Sequence, residues 1–564
     1  MDQKSKSPSN VEHIEFSPDA ETKPTERKHD GTVQLTCDEG VILIPTPSQD
    51  PRDPLNIALW HKLMILSCTC LYSTMGLTSV SGLGGILAYF IPEYSAQGRS
   101  YDDISALLTC TFFSPIRECF ADPSLFMGIG NMISMPLALA VGRRPVFLVS
   151  CIVQVVSLVC CATNTGYTGH FSARCILGLA AGQSEALCPL MISEIFFLHE
   201  RARYQQFFSS IQTVISGTLI ITTSYIVSTI GWRAWYYLFA GLSGVILIMA
   251  IFLVPETKYV RPLTAYKGKA NENDNTSNLV PGSDPENPKQ FGQIMTVNDQ
   301  RILDTVNYLP RTLRSDMRLF INKADWREAF YCLKHMFQVF LFPNVFWVVS
   351  MNGIFLGVNI AMGVTYGNIL SGAFNWADKY ISIAQAGQVV VAFVCVPMLG
   401  YGSDIIVKFL ARRNNGVHEP EHRLLTLIIP LLLGIIFVVI YGQAAAFPER
   451  YHWMAIVFCL NGYYFTFIGA NMAGITYLLD AYPTRPASSL VVLCAMRGVI
   501  SFCLSYGTVS LYSNYGYDGA FGLFGGITGI FGVLGVVVYF TGKRIRKFVA
   551  PWTAVEVTGK ASMG

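Results

Sequence analysis

The sequence predicts an all-α integral membrane protein, with twelve transmembrane helices in two pseudo-symmetric six-helix bundles. Three observations carry that prediction. Of the 564 residues, 52% are hydrophobic and only 14% are charged, where soluble domains carry roughly 25% charge. Apolar runs near the ~20 residues needed to cross a bilayer recur at roughly 63–90, 124–141, 145–162, 171–198, 210–230 and 235–254. After a polar gap they resume at roughly 342–367, 381–400, 424–442, 453–479, 488–511 and 521–542. Finally, Lys and Arg gather in alternate loops.

The basic loops hold Arg143 and Arg144, Arg201 and Arg203, Lys258 and Arg261, Lys408, Arg412 and Arg413, Arg485, and Lys543 to Lys547. The intervening loops hold only single cations such as Arg99, Arg233, Lys379 and Arg450. Such a bias marks the cytoplasmic side, so both termini are expected inside, as an even number of spans requires. Residues 1–59 are polar, lack the apolar core of a signal peptide, and read as a disordered cytoplasmic tail. The first bundle then covers 60–254, a cytoplasmic central loop 255–338, the second bundle 339–547, and a short cytoplasmic tail 548–564. Within the loop, Trp326–Leu341 is expected to form a helix leading into the seventh span. Pro115, Arg117, Glu118, Asp122 and Pro123 interrupt the second span. Charges at the bilayer centre cost about 2.5–3.5 kcal/mol each. An irregular insertion at 109–122, with the helix starting near Pro123, is therefore expected; translated non-coding sequence is the alternative.

Other classes are disfavoured. A net charge of +3, without a basic stripe interleaved with aromatics, offers nothing to nucleic acid. The 15 cysteines are scattered, and Cys68, Cys151, Cys160, Cys395, Cys459 and Cys494 lie inside apolar runs, where they read as small buried hydrophobes. Metal or haem chemistry within a bilayer needs His or clustered carboxylates there, yet all nine His lie in tails, loops or span ends. His199-Glu200 is not followed by the second His of a zinc site, and no phosphate-binding G-x-x-x-x-G-K-[ST] loop occurs. No enzyme activity, metal or cofactor is expected.

A six-plus-six layout suits a duplicated carrier whose site lies at mid-depth between its repeats. The loop after the second span reads Met135-Pro-Leu-Ala-Leu-Ala-Val-Gly142-Arg143-Arg144-Pro145, and that after the eighth reads Gly400-Tyr-Gly-Ser-Asp404-Ile-Ile-Val-Lys408. Both resemble the G-x-x-x-D-(R/K)-x-G-(R/K)-(R/K) signature of the major facilitator superfamily. Arg174-Cys-Ile-Leu-Gly178 is similar to its R-x-x-x-G motif. Asp53-Pro-Leu-Asn56, Phe196-Phe-Leu-His-Glu-Arg201, Gly231-Trp-Arg233 and Pro255-Glu-Thr257 more narrowly resemble the twelve-helix fungal drug:proton antiporter-like group. The likeness runs from about residue 53 to 547, less most of the central loop and 109–122. Two departures stand out: Leu139 occupies the first loop's Asp position, and Leu219-Ile-Ile-Thr-Thr-Ser224 replaces the antiporters' G-P-x-x-G-G. The resemblance implies gating loops built on Gly142, Arg143, Arg144, Gly400, Asp404 and Lys408. It also implies a cavity lined by spans 1, 2, 4, 5, 7, 8, 10 and 11.

Ionisable groups at membrane depth usually face a bundle interior or a wet cavity. Arg174 and Glu185 project from one face of the fourth span, roughly 16 Å apart along its axis. Glu185, near mid-depth, is placed to take up and release a proton; a structural acid satisfied by a neighbouring helix is the alternative. Arg497 is expected to pair with an acid such as Glu185 or Asp480, or to bind an anionic substrate group. Asp480 and Arg485 are expected as a solvated gate pair, and Glu194 as an interfacial residue. Asn131, Gln212, Asn352, Asn359, Gln385, Gln388, Asn461, Tyr464 and Asn471 add uncharged polar groups to the cavity-lining spans. Gln385 and Gln388 share a helix face, whereas a lone Asn more often makes an interhelical hydrogen bond.

The expectation is a secondary active transporter of a small organic molecule. Resemblance favours proton-coupled efflux of a drug or secondary metabolite by alternating access. Uptake of an organic cation such as a polyamine, with Glu185 as counter-charge, is the first alternative, and a non-transporting sensor on the same frame is the second. The expected partners are the small organic substrate, protons and the lipid bilayer, for a monomer in the plasma membrane.

Overall fold

The computed structural model describes residues 33–34, 36–37, 40–41, 43–81, 93–98, 123–259, 310–319, 324–376, 381–414, 417–482 and 486–553. The insertion expected at 109–122 and Arg485 lie outside these residues. The described architecture is helical. In the first bundle the spans are Leu59–Ser81, Pro123–Val141, Arg143–Thr163, Tyr167–Ile195, Arg201–Ile230 and Trp232–Leu253. The second opens with Pro343–Gly372. Its eighth span joins Gly387–Cys395 to Gly402–Arg413 through a π-helical turn at Val396–Tyr401, which contains Pro397. The ninth runs from a 3₁₀ turn at Pro420–Leu427 into Ile428–Ala446, and the tenth is Trp453–Ala481. Gly516, at φ 73°, breaks Pro486–Thr553 into the eleventh and twelfth. Among the described residues ten helices are long and apolar enough to cross a membrane; the shorter apolar Phe126–Val141 and Pro486–Ser501 supply the second and eleventh spans.

Several helices outrun their apolar segments on the face carrying the basic loops. The fifth opens at Arg201, and the eighth continues to Arg413. Arg, Gln and Lys are good helix formers; Arg412 and Arg413 are exposed there, whereas Arg201, Gln205 and Gln206 are buried against neighbouring helices. Small residues let the rods approach closely. A Cβ on Gly130 would land on the Leu179 carbonyl, and one on Gly182 would land on the Met127 carbonyl, so the second and fourth spans meet backbone to backbone. Gly353 and Gly357 likewise receive Ile500 and Leu504 of the eleventh span. The twelfth span turns Gly525 and Gly532 to Val438, Val439 and Leu431 of the ninth, packing within the chain.

The expectation of a disordered tail up to residue 59 is corrected from Leu43 onward. Leu43, Leu55 and Phe197 form a small apolar cluster. Asp53 caps the Pro54–Asn56 turn by accepting from the Leu55 N–H (2.9 Å) and the Ser48 N–H (3.0 Å). Lys62 donates to the Leu55 carbonyl (3.0 Å), and the Leu198 N–H donates to the Ile44 carbonyl (2.8 Å). The Asp-Pro-Leu-Asn sequence thus closes on itself and plugs into the loop after the fourth span. Farther back, Val33–Gln34 pairs antiparallel with Val417–His418.

Candidate functional site

At mid-depth, Glu185 of the fourth span and Arg497 of the eleventh form an ion pair between the bundles. A second Arg497 nitrogen donates to Asn471 Oδ1 at 2.6 Å. The arrangement follows from the repeat. The fourth and tenth spans are both 29 residues long; Glu185 lies 18 residues after Tyr167, and Asn471 lies 18 after Trp453. Arg497 and Gln212 each lie 11 residues into their helices, after Pro486 and Arg201. One bundle therefore carries an acid where the other has an amide, and the reverse holds for the base. The Arg497 side chain is 3% exposed and that of Glu185 26%. Among the described residues Arg497 Nε has no hydrogen-bond partner.

The other polar candidates divide into two groups. Tyr464 and Thr213 bring their hydroxyls within 3.2 Å across the seam between bundles. Gln212, Asn359, Gln385 and Gln388 are half-buried, with Gln385 beside the Tyr366 hydroxyl. Asn352 and Asn461, by contrast, serve packing. Asn352 donates to Val348 of its own helix (3.0 Å) and lies against Gly474. Asn461 donates to the Ala384 carbonyl at the start of the eighth span (2.8 Å) and fills the space beside Gly387. Asn131 is buried, and neither side-chain atom has a partner among the described residues.

Arg174 stands apart from the mid-depth group. It sits about two turns from the start of the fourth span and donates to the carbonyls of Ser79 (3.4 Å) and Val80 (3.0 Å), closing the end of the first span. Cations favour such helix C-termini. It also donates to the Tyr236 hydroxyl (3.1 Å). His170, which sequence reasoning left at a span end, lies between the Tyr94 and Tyr236 hydroxyls at 2.8 and 3.0 Å.

The basic face carries a second repeat. Glu194 and Asp480 are each the next-to-last residue of a 29-residue helix. Arg143 binds Glu194 through Nε at 3.0 Å, and the Thr257 hydroxyl donates to the same carboxylate at 2.5 Å. Arg423 Nε binds Asp480 at 2.9 Å, and its Nη1 approaches Asp404 at 3.4 Å. Asp480 also accepts from Arg201 at 3.1 Å, across the seam. Both acids are buried, correcting the expectations of an interfacial Glu194 and a solvated Asp480. Glu256, from the Pro-Glu-Thr motif, caps the third helix by accepting the N–H groups of Arg143 (2.9 Å) and Arg144 (3.3 Å). A side chain at Gly142, whose φ is 132°, would collide with that carboxylate. Arg144 itself donates to the carbonyls of Ile251 (2.6 Å) and Arg318 (2.8 Å). Leu139, at the family's Asp position, contributes only its carbonyl, which accepts from Lys258.

The fifth and eighth spans complete this closure. Arg203 lies over the Tyr401 ring at 5.4 Å, and Gly400 gives room to Gln206. Nearby, burial pushes the His199 imidazole down, Glu200 pulls it back, and Lys408 and Arg203 push it down again, to about 4. Arg201, Arg423, Glu256 and Thr257 thus hold this network together, and hydropathy did not single them out. The Pro-Glu-Thr motif and the repeat spacing were the signals available for finding them. Among the described residues no group of three or more His, Cys, Asp or Glu is placed to hold a metal ion.

Residues 69–506 match the Major Facilitator Superfamily. Over 93% of the chain it is 24% identical to an uncharacterised MFS-type transporter of Schizosaccharomyces pombe, covering 90% of that protein. It is 23% identical to Protein HOL1 of Saccharomyces cerevisiae, over 91% of each chain. It is 24% identical to MFS-type transporter penM of Penicillium rubens, over 94% of each. The fold is similar to that of the human organic anion transporter MFSD10, with a TM-score of 0.54 and 11% identity, covering 84% of this chain and 99% of that one. It is also similar to the proton:xylose symporter XylE, with a TM-score of 0.53 and 15% identity, covering 89% and 98%. The chain belongs to the major facilitator superfamily and is a multi-pass membrane transporter rather than an enzyme.

Proposed function

We propose that the protein is a proton-coupled exporter of a small organic molecule, such as a drug or secondary metabolite, with Glu185, Arg497 and Asn471 as its coupling centre. The ion pair between bundles at mid-depth carries this reading. An Arg at the bilayer centre costs about 2.5–3.5 kcal/mol on insertion scales, and Glu185 supplies its counter-charge. Protonating Glu185 removes that counter-charge, so parting the bundles becomes linked to proton arrival. Arg497 Nε, together with half-buried Gln212 and Gln388, supplies hydrogen-bonding groups for a substrate. In this reading the basic face is cytoplasmic, and the Arg201–Asp480 and Arg203–Tyr401 contacts close that side. A monomer suffices, since one chain holds both bundles, and the plasma membrane is its proposed location.

Uptake of an organic cation such as a polyamine is a second reading. It is favoured by the exposure of the Glu185 carboxylate, 26% against 3% for Arg497. Inside-out vesicles, a compound panel and an imposed pH gradient test both. Glu185→Gln should abolish pH-driven accumulation at normal membrane insertion; flux unchanged in that variant would refute the assignment. Accumulation of polyamine in right-side-out vesicles, and of no compound in inside-out ones, would select the second reading.

A further inference from the structure

The helix Trp326–Phe340 crosses the seam between the bundles on the basic face. It is tied to the first bundle by the Asp325 N–H on the Ala140 carbonyl (3.1 Å) and by Glu328 on Lys258 (2.8 Å). Cys332 Sγ lies 3.5 Å from Ser488 Oγ of the second. Cys332, Met336 and Val339 form its buried face. The opposite face is apolar too: Trp326, Phe330, Phe337 and Leu341 are 63%, 68%, 70% and 74% exposed, with Leu333 among them. These residues recur every three or four positions, so they form one stripe along the helix. Beyond Leu341 the stripe continues into Phe346 at the start of the seventh span, itself 51% exposed. Asp325 is turned onto the Arg327 N–H (3.0 Å) and Glu328 onto Lys258. Arg327 and Lys334, both exposed, flank the stripe on one side.

An aromatic stripe of this size is rarely left in water, and one bordered by cations matches a helix lying in the headgroup layer. We infer that the exposed face of Trp326–Phe340 docks into the bilayer leaflet at the basic face, with Arg327 and Lys334 binding anionic phospholipid headgroups. The bilayer is the occupant because the stripe runs on into exposed Phe346 at the start of the membrane-spanning seventh helix, and because its flanking charge complements anionic lipid.

The test uses the full chain reconstituted in phosphatidylcholine vesicles, with and without phosphatidylserine, containing lipids brominated along the acyl chain. The Trp326 signal is the difference between the wild type and Trp326→Phe, a change that leaves the buried face intact. The expected result is a Trp326 component quenched by bromolipid and shielded from aqueous iodide. Phosphatidylserine should strengthen the quenching severalfold, and the double variant Arg327→Gln/Lys334→Gln should lose that enhancement. Quenching by iodide but not by bromolipid would place the stripe in water or against a protein and overturn the inference. Equal quenching with and without phosphatidylserine would overturn the headgroup assignment.

Discussion

Replacing Asp480 by Asn should open the basic face. The substitution removes two ion pairs, to Arg423 at 2.9 Å and to Arg201 at 3.1 Å. The Arg423 pair lies within one bundle and is lost equally whether the seam is closed or open, so it cancels. The Arg201 pair crosses the seam and exists only when closed. Removing one partner of a buried pair costs about 3–5 kcal/mol. At about 1.4 kcal/mol per tenfold, the lower figure reduces the closed-to-open ratio by roughly a hundredfold. Gln206, buried beside Gly400, supplies the reporter. With Gln206→Cys in vesicles exposing the basic face, a membrane-impermeant maleimide should label the Asp480→Asn background at least tenfold faster than the parent. The Lys543–Glu419 pair is an internal control, because the Lys543 side chain is 45% exposed and such pairs contribute about 0–1 kcal/mol. Lys543→Gln should leave labelling unchanged. Equal labelling of the Asp480→Asn and parent backgrounds would show that Arg201 and Asp480 do not hold the seam.

Three further outcomes are expected. Gly130→Ala drives a methyl group into the Leu179 carbonyl, and overpacking of this kind costs about 1–3 kcal/mol. The melting temperature in detergent should fall, whereas Gly244→Ala, which meets open space, should leave it unchanged. Arg174→Ala removes hydrogen bonds from a charged donor to Ser79 and Val80, each worth about 1.5–3 kcal/mol. Stability should drop while the surviving protein binds substrate normally; lost affinity at unchanged stability would return Arg174 to the cavity. The His199 imidazole is lowered from 6.5 to about 4. A depressed His contributes its stability above pH 6.5 and loses it as pH falls toward 4, a difference of about 3 kcal/mol. His199→Gln should flatten the decline in melting temperature over that interval.

Hydropathy located the spans because each is a predominantly apolar run, and it placed the second helix at Pro123 because the charges before it cannot sit in lipid. It could not see the polar turns that extend helices on the basic face, or the π turn around Pro397, where apolar composition continues unchanged. The Glu185–Arg497 pairing was legible as one of several choices: depth singled out both residues, but only the approach of the fourth and eleventh spans selects between Glu185 and Asp480. Arg174 is a related case. It shares a face with Glu185, yet the distance along the axis carries it to the end of the first span. Glu194 and Asp480 looked solvated because each closes its helix; the arginines that bury them arrive from other helices, which a linear reading does not bring together.

The union of Glu185 with Arg497 also bears on biosynthesis. The two residues are separated by 312 positions. At about 5–20 residues per second, a ribosome takes roughly 15–60 s to travel from one codon to the other. During that interval the nascent first bundle holds an acid whose counter-ion has not yet been translated. The pair that joins the two bundles at mid-depth is therefore among the last contacts to form, once the eleventh helix has been made.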